Sequence, residues 1–262
     1  MEKYKIQNTK SKINLLVFLI ILIINPALIL AEEYYGPKKK IIVEDFYVNL
    51  KNVPPQSAKI FTSKFRLALL NTNRFVVKKA KTEEFTQMTV RGKILKCQEE
   101  KLTKWYEKTL PARFRGPKIT RAYIVVAIDL CDPNRDLVIK SFRIKGDAKV
   151  SEGKLGEKPT VDVEHSALVM SINKVLTKVI GVIIAEMEKY KWEAKITSVN
   201  GNKLYIDSGL EADIKAGTVF KIYDGETFIG ETKIIEVNKD FSIGLMTKND
   251  GIKPNMSVRM ME

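Results

Sequence analysis

Histidine is almost missing from this chain: His165 is the only one in 262 residues. A metal centre built on clustered histidines is therefore excluded, and a single imidazole is left as a candidate general base. No serine or cysteine nucleophile motif stands beside His165, so it reads as a plain exposed or capping residue at the start of a helix. Cysteine is nearly as scarce, with Cys97 and Cys131 alone and no Cys/His cluster at metal-ligand spacing. The glycine-rich run Gly153-Lys154-Leu155-Gly156-Glu157-Lys158-Pro159-Thr160 does not have the order of a phosphate-binding loop and carries Glu157 where such a loop is neutral. Asp129, Asp132 and Asp136 fall at a strand end and a turn, where aspartates bond to nearby backbone. With no nucleophile, acid–base or metal set, the chain is read as non-enzymatic, with no cofactor and no metal.

Negative charge is scarce in one part only. The formal net charge is +14. Between Glu32 and Thr160 there are 28 basic and 15 acidic residues, whereas from Val161 onward there are 13 and 15. A basic first part points to an anionic partner, either a membrane or a glycan surface, and the plainer reading is a lysine-rich solvated surface.

The one long charge-free run is at the N-terminus. Lys3, Lys5, Lys10 and Lys12 precede the apolar stretch Ile13 to Ile24, then Asn25-Pro26, then Ile29-Leu30-Ala31 before Glu32-Glu33. That is the layout of a secretory signal peptide, residues 1–31, cut after Ala31. A retained anchor is the competing reading, since Ile13 to Ala31 nearly spans a bilayer. No cysteine stands at the end of the run, so no lipid anchor is expected. The expected location is the periplasm, peripheral to the outer membrane. An exported protein has little occasion to meet nucleic acid, so none is expected as a partner.

The mature chain divides by pattern into residues 38–191 and 192–262. In the first part, strands are expected at Lys40–Phe46, Arg74–Val77, Met88–Cys97, Ala122–Cys131 and Leu137–Ile144, with a helix from Pro54-Pro55 to Leu70. Lys149 to Thr160 reads as a loop. Leu168, Ile172, Val175, Leu176, Val179, Ile180, Ile183, Met187 and Tyr190 then form one apolar stripe, predicting a long helix within Val161 to Lys191 with Thr160 or Asp162 as its N-cap. Val169, Val182 and Ile184 lie off that stripe, which marks the helix flank as a place where two domains or two copies of the chain meet. From Trp192 onward, five or six short strands with glycine turns predict a small closed barrel of SH3-like type. The fold class is thus α+β, a mixed sheet flanked by helices, followed by a β-barrel.

One constellation stands out as a candidate site. Lys104, Trp105, Tyr106, Arg113, Phe114, Arg115, Lys118 and Arg121 interleave cations with aromatic rings, a composition suited to anionic headgroups, glycans or a protein interface. The alternative is a solvated connection whose rings cover a sheet edge. In an exported chain, Cys97 and Cys131 are candidates for a disulfide, which would stabilise the fold by about 3–4 kcal/mol; two small buried residues is the other reading.

The succession Ile41-Ile42-Val43-Glu44-Asp45-Phe46, a helix, Arg74-Phe75-Val76-Val77 and Met88-Thr89-Val90-Arg91-Gly92-Lys93-Ile94 resembles the start of the curli production assembly/transport component (CsgG-like) family. Lys203-Leu204-Tyr205-Ile206-Asp207-Ser208-Gly209 with Ile214-Lys215-Ala216-Gly217-Thr218-Val219-Phe220-Lys221-Ile222-Tyr223 resembles the C-terminal domain of flagellar assembly protein T. Together the resemblances cover nearly all of the mature chain. They imply an assembly or scaffold factor for a surface structure or secretion apparatus. Related domains also occur in activators of penicillin-binding proteins, which implies a peptidoglycan-synthase regulator as the alternative. The family's lipid-anchor cysteine is absent, and Gln98 to Arg121 is too charged and short for membrane-spanning hairpins, so pore formation does not carry over. Partners implied are envelope proteins and, by the family's rings, further copies of the chain.

Overall fold

The computed structural model describes residues 36–48, 55–79, 85–102, 118–152, 166–246 and 251–260, all within the compact unit Gly36–Glu262. The signal-peptide reading of residues 1–31 lies outside them.

A six-stranded mixed sheet comes first. β1 (Lys39–Val43) runs parallel to both β3 (Phe75–Lys78) and β4 (Met88–Leu102). The two-residue β2 (Tyr47–Val48) continues along the same edge of β4. β5 (Lys118–Cys131) and β6 (Val138–Glu152) follow as long antiparallel neighbours, giving the order β3-β1-β4-β5-β6. Helix α1 (Pro55–Leu70) and helix α2 (Ala167–Met187) share one core with the sheet. Ala122, Ile124, Val126, Ile128 and Leu130 of β5 are buried, while the residues between them are only half-buried, so both helices cover one face. Val175, Val179 and Ile183 of α2 and Phe61, Phe65 and Leu69 of α1 fill that face.

Two glycines set how closely the layers approach. A Cβ on Gly146 would lie 2.2 Å from the Ser171 carbonyl oxygen of α2, so the helix backbone rests directly on β6. A Cβ on Gly92 would lie 2.0 Å from the Phe46 ring, which packs tilted and edge-on against Phe61 and Phe65 at centroid distances of 4.9 and 5.3 Å. Gly92 is thus the seat of an aromatic ring.

The predicted long helix is present but starts later. Ser166 is its N-cap and accepts a hydrogen bond from Val169 N at 3.3 Å. Thr160, Asp162 and His165 lie outside the described residues. By length and composition α2 would cross a bilayer, yet ten of its residues are buried against sheet and neighbouring helix, which is how a core helix reads. At its end Glu186 accepts from Lys140 of β6 (2.6 Å) and Lys189 (2.9 Å), and these bonds hold its carboxyl below the ordinary range. A depressed folded-state pKa stabilises above the unfolded value of about 4.3 and fades as pH falls through the lower one. Glu186→Gln is therefore expected to be less stable than the wild type near neutrality, with the difference closing in acid, as read by urea titrations across pH. A difference that grew towards acid would contradict this sign. Lys174 and Lys178, on the outer side of α2, donate to the edge carbonyls of Asp147 (2.9 Å) and Lys145 (3.2 Å) on β6.

Six further strands close into a barrel in the order β10-β11-β8-β7-β12-β9. They are β7 (Glu193–Asn200), β8 (Lys203–Ile206), β9 (Val219–Asp224), β10 (Thr227–Val237), β11 (Ser242–Met246) and β12 (Ser257–Met260), with a 3-10 turn at Leu210–Ala212. Ile196, Leu204, Ile206, Phe220, Ile222 and Val258 fill its interior, and Trp192 stacks on Phe220 at 5.0 Å.

The barrel meets the start of the sheet. Val76 of β3 belongs to the barrel core. Lys38 N donates to the Ala212 carbonyl (2.9 Å), and Trp192 Nε1 donates to the Lys38 carbonyl (3.2 Å). Buried Lys39 reaches back to the carbonyls of Met187 (2.6 Å) and Tyr190 at the end of α2, and burial pulls its ammonium pKa down. Lys40 and Asp207 form an ion pair at 3.7 Å with side chains only 8% and 5% exposed.

Candidate functional site: the open basic face of the sheet

Neither helix covers the second face of β4–β6. Register places its residues in rows: Lys93, Ala127 and Arg143; Lys96, Val125 and Lys145; Gln98, Tyr123 and Asp147; Glu100, Arg121 and Lys149. A bulge between Ile94 and Lys96 makes the second row possible, because without an extra residue Lys96 would face the helices. Lys93, Lys96, Arg143, Lys145 and Lys149 are all exposed, and among the described residues none has a carboxylate partner. Two tyrosines sit among them. Lys93 Nζ lies 5.6 Å from the Tyr47 ring centre, and Lys96 and Lys145 lie 4.8 and 5.8 Å from that of Tyr123. The Tyr123 hydroxyl donates to Gln98.

Acid residues bound the face at one end. Arg91 is held by Glu44 (3.0 Å) and Asp136 (2.5 Å), which raise its pKa, and Asp129 accepts from Ser141. Asp132 accepts from the backbone of Asn134 and Arg135, in the turn role expected for it. Among the described residues, no group of three or more His, Cys, Asp or Glu side chains is placed to hold a metal.

Of the site expected from sequence, Lys104, Trp105, Tyr106, Arg113, Phe114 and Arg115 lie outside the described residues. Lys118 opens β5 opposite Glu152. Arg121 stands on the open face, half-buried, and its Nε is enclosed without a hydrogen-bond partner. β4 extends to Leu102 and β6 to Glu152, past the ends at Cys97 and Ile144 expected from sequence, so the stretch read as loop from Lys149 begins as strand.

The disulfide is a correction. Both cysteines are free, and Cys97 pairs across the ladder with Ile124 while Cys131 pairs with Thr89. Seven residues of strand separate the two pairing positions, about 23 Å at 3.3 Å per residue, against the 7 Å limit between Cα atoms of a bridge. Burial raises both thiol pKa values.

A second concavity, a cleft of about 320 Å³, opens where sheet and barrel meet, between Phe85, Gln87, Tyr190, Glu193, Glu226 and Arg259. Within it Arg259 bonds Glu226 at 3.0 Å and Glu193 at 3.2 Å.

No family model and no curated protein matches the chain. Among solved structures, it is similar to the hypothetical protein CT253 from Chlamydia trachomatis at 8% identity, with 56% of this chain and 95% of that one covered and a TM-score of 0.38. The PelC dodecamer from Paraburkholderia phytofirmans is similar at 12% identity, with coverage of 55% and 86% and a TM-score of 0.34. A minor lipoprotein from Acinetobacter baumannii is similar at 9% identity, with coverage of 58% and 93% and a TM-score of 0.31. At these scores the likeness carries no functional weight.

Proposed function

We propose that this chain is a non-enzymatic, exported cell-envelope protein that serves as an assembly or scaffold factor for a surface structure or secretion apparatus. It works in the periplasm, peripheral to the outer membrane, after removal of residues 1–31. The sheet domain docks on an anionic envelope component, and the barrel, taken as SH3-like, engages protein partners. The observation that carries this reading is the open face: five exposed cations that have no carboxylate partner among the described residues, ranged around two tyrosines on the sheet. The resemblance to the curli transport and flagellar assembly families supports the assembly role, and the secretory layout of the N-terminus supports export.

The test is cross-linked capture from envelope membranes, with wild type and Lys96→Glu/Lys145→Glu side by side. Appendage or secretion subunits should be recovered with the wild type and largely lost with the variant. Recovery of a penicillin-binding protein in their place would support the synthase-regulator reading. Undiminished recovery of the same subunits by the variant would remove the open face from the function.

A further inference from the structure

We infer that the open face of β4–β6 holds a linear, carboxylate-bearing polysaccharide laid along β5. This rests on the docking reading above and names the chemistry of what is docked.

The shape follows from register. Lys93 and Lys96 stand on one side of β5, and Arg143, Lys145 and Lys149 on the other. Strands lie about 4.8 Å apart, so the two lines are separated by about 10 Å. Between them the floor at the first two rows is Ala127 and Val125, whose side chains are short, and Tyr123 and Arg121 rise from β5 at the next two. The result is a short trough one polymer chain wide, walled by Lys93, Lys96, Arg143 and Lys145 and ended by the Tyr123 ring. On β6, Arg143 and Lys145 stand two residues apart, about 6.7 Å, and on β4 the bulge brings Lys93 and Lys96 opposite them, which suits charges spaced along an extended chain. A bilayer presents headgroups across a broad plane, whereas these cations form two lines with a lower floor between them.

The charge pattern has a direction. At one end Glu44 and Asp136 neutralise Arg91, and the nearby Asp129 adds a further charge that repels an anion. Away from that end, the rows hold Lys93, Lys96, Arg121, Arg143, Lys145 and Lys149 against two acids among the described residues, Glu100 and Asp147. Tyr123 stands between the walls, with Lys96 and Lys145 beside its ring, and Tyr47 lies next to Lys93. Flat rings beside cations suit a sugar ring that carries an acid group. Arg121 completes the selection. It stands on the same face in the row with Glu100 and Lys149, and a guanidinium fork takes a carboxylate through two parallel bonds.

The experiment is fluorescence anisotropy of labelled oligogalacturonate with the full mature chain. Thermal unfolding verifies that each variant is folded. Wild type should bind, and binding should weaken as salt rises. Lys96→Ser/Lys145→Ser should bind about tenfold more weakly, the loss of two exposed ion pairs. Arg121→Lys, which keeps charge but loses the fork, should also weaken binding. Lys215→Ser/Lys233→Ser on the barrel should leave it unchanged. The inference is overturned if wild type does not bind, if the barrel variant loses as much as the trough variant, or if phosphatidylglycerol vesicles bind through Lys96 and Lys145 while the oligosaccharide does not. If the oligosaccharide fails while envelope capture still depends on Lys96 and Lys145, this inference falls and the docking reading stands. If capture is independent of them too, both fall.

Discussion

Asp207→Ala should lower the unfolding free energy by about 3–5 kcal/mol in a urea titration, the range for removing one partner of a buried ion pair. The carboxylate has several roles at once. Oδ1 accepts from Lys195 N at 2.9 Å, Oδ2 accepts from Phe85 N at 3.0 Å, and the buried Lys40 ammonium lies 3.7 Å away. Its alanine replacement deprives two backbone N–H groups of their acceptor and takes the carboxylate from a cation that is 8% exposed. Lys40 also donates to the Asp207 carbonyl, so the same residue ties the start of the sheet to the barrel wall through main chain and side chain together. Lys40→Met/Asp207→Asn should regain part of the loss, because it leaves no buried charge unpaired and the amide oxygen still accepts from one of the two backbone N–H groups. A single-variant loss below about 1 kcal/mol, the scale of a surface pair, would show that the joint is held by its apolar contacts instead.

Gly146→Val is the second large effect, expected at about 3 kcal/mol, the upper end for overpacking. The atom met at 2.2 Å is the Ser171 carbonyl oxygen and the next is Val175 Cγ2 at 2.7 Å. Backbone in the middle of a buried helix face cannot swing aside as a side-chain tip can, so α2 must lift from β6. Gly181→Ala in the same helix is the control. Nothing lies within 4 Å of its added Cβ, so the better helix propensity should stabilise by about 1 kcal/mol. Thermal or urea unfolding that ranked the two in the opposite order would refute the packing argument.

Much of the architecture was legible from local pattern. The 3.6 spacing of Val175, Val179 and Ile183 marked α2, and the alternation Ala122, Ile124, Val126, Ile128 marked β5 with one face buried. The closed barrel followed from short strands and glycine turns. Strand ends were misplaced for a physical reason. Beyond Cys97 and Ile144 the residues are charged, so the apolar alternation fades while the ladder continues to Leu102 and Glu152. The trough was half-legible. Arg91 with Lys93, and Arg143 with Lys145, keep the period of two that puts cations on one strand face. Lys96 breaks that period, and only the bulge at Ile94/Lys96 returns it to the same side. Pairing across strands, which turns separate lysines into two walls, is a long-range property that no local pattern encodes. The supposed disulfide failed on the same ground: two cysteines on neighbouring strands say nothing of register until the ladder is known.

The lysines that α2 sends over the margin of β6 have a bearing on how copies of this chain can associate. An incoming strand adds to a sheet by taking up the free carbonyls of its outermost member. At Lys145 and Asp147 those carbonyls already bind the ammonium groups of Lys178 and Lys174. A second chain seeking to extend the sheet there would have to displace two hydrogen bonds and approach two positive charges. The margin that could template open-ended, fibre-like growth is thus guarded by the molecule's own helix, while the neighbouring basic face is left clear for a ligand.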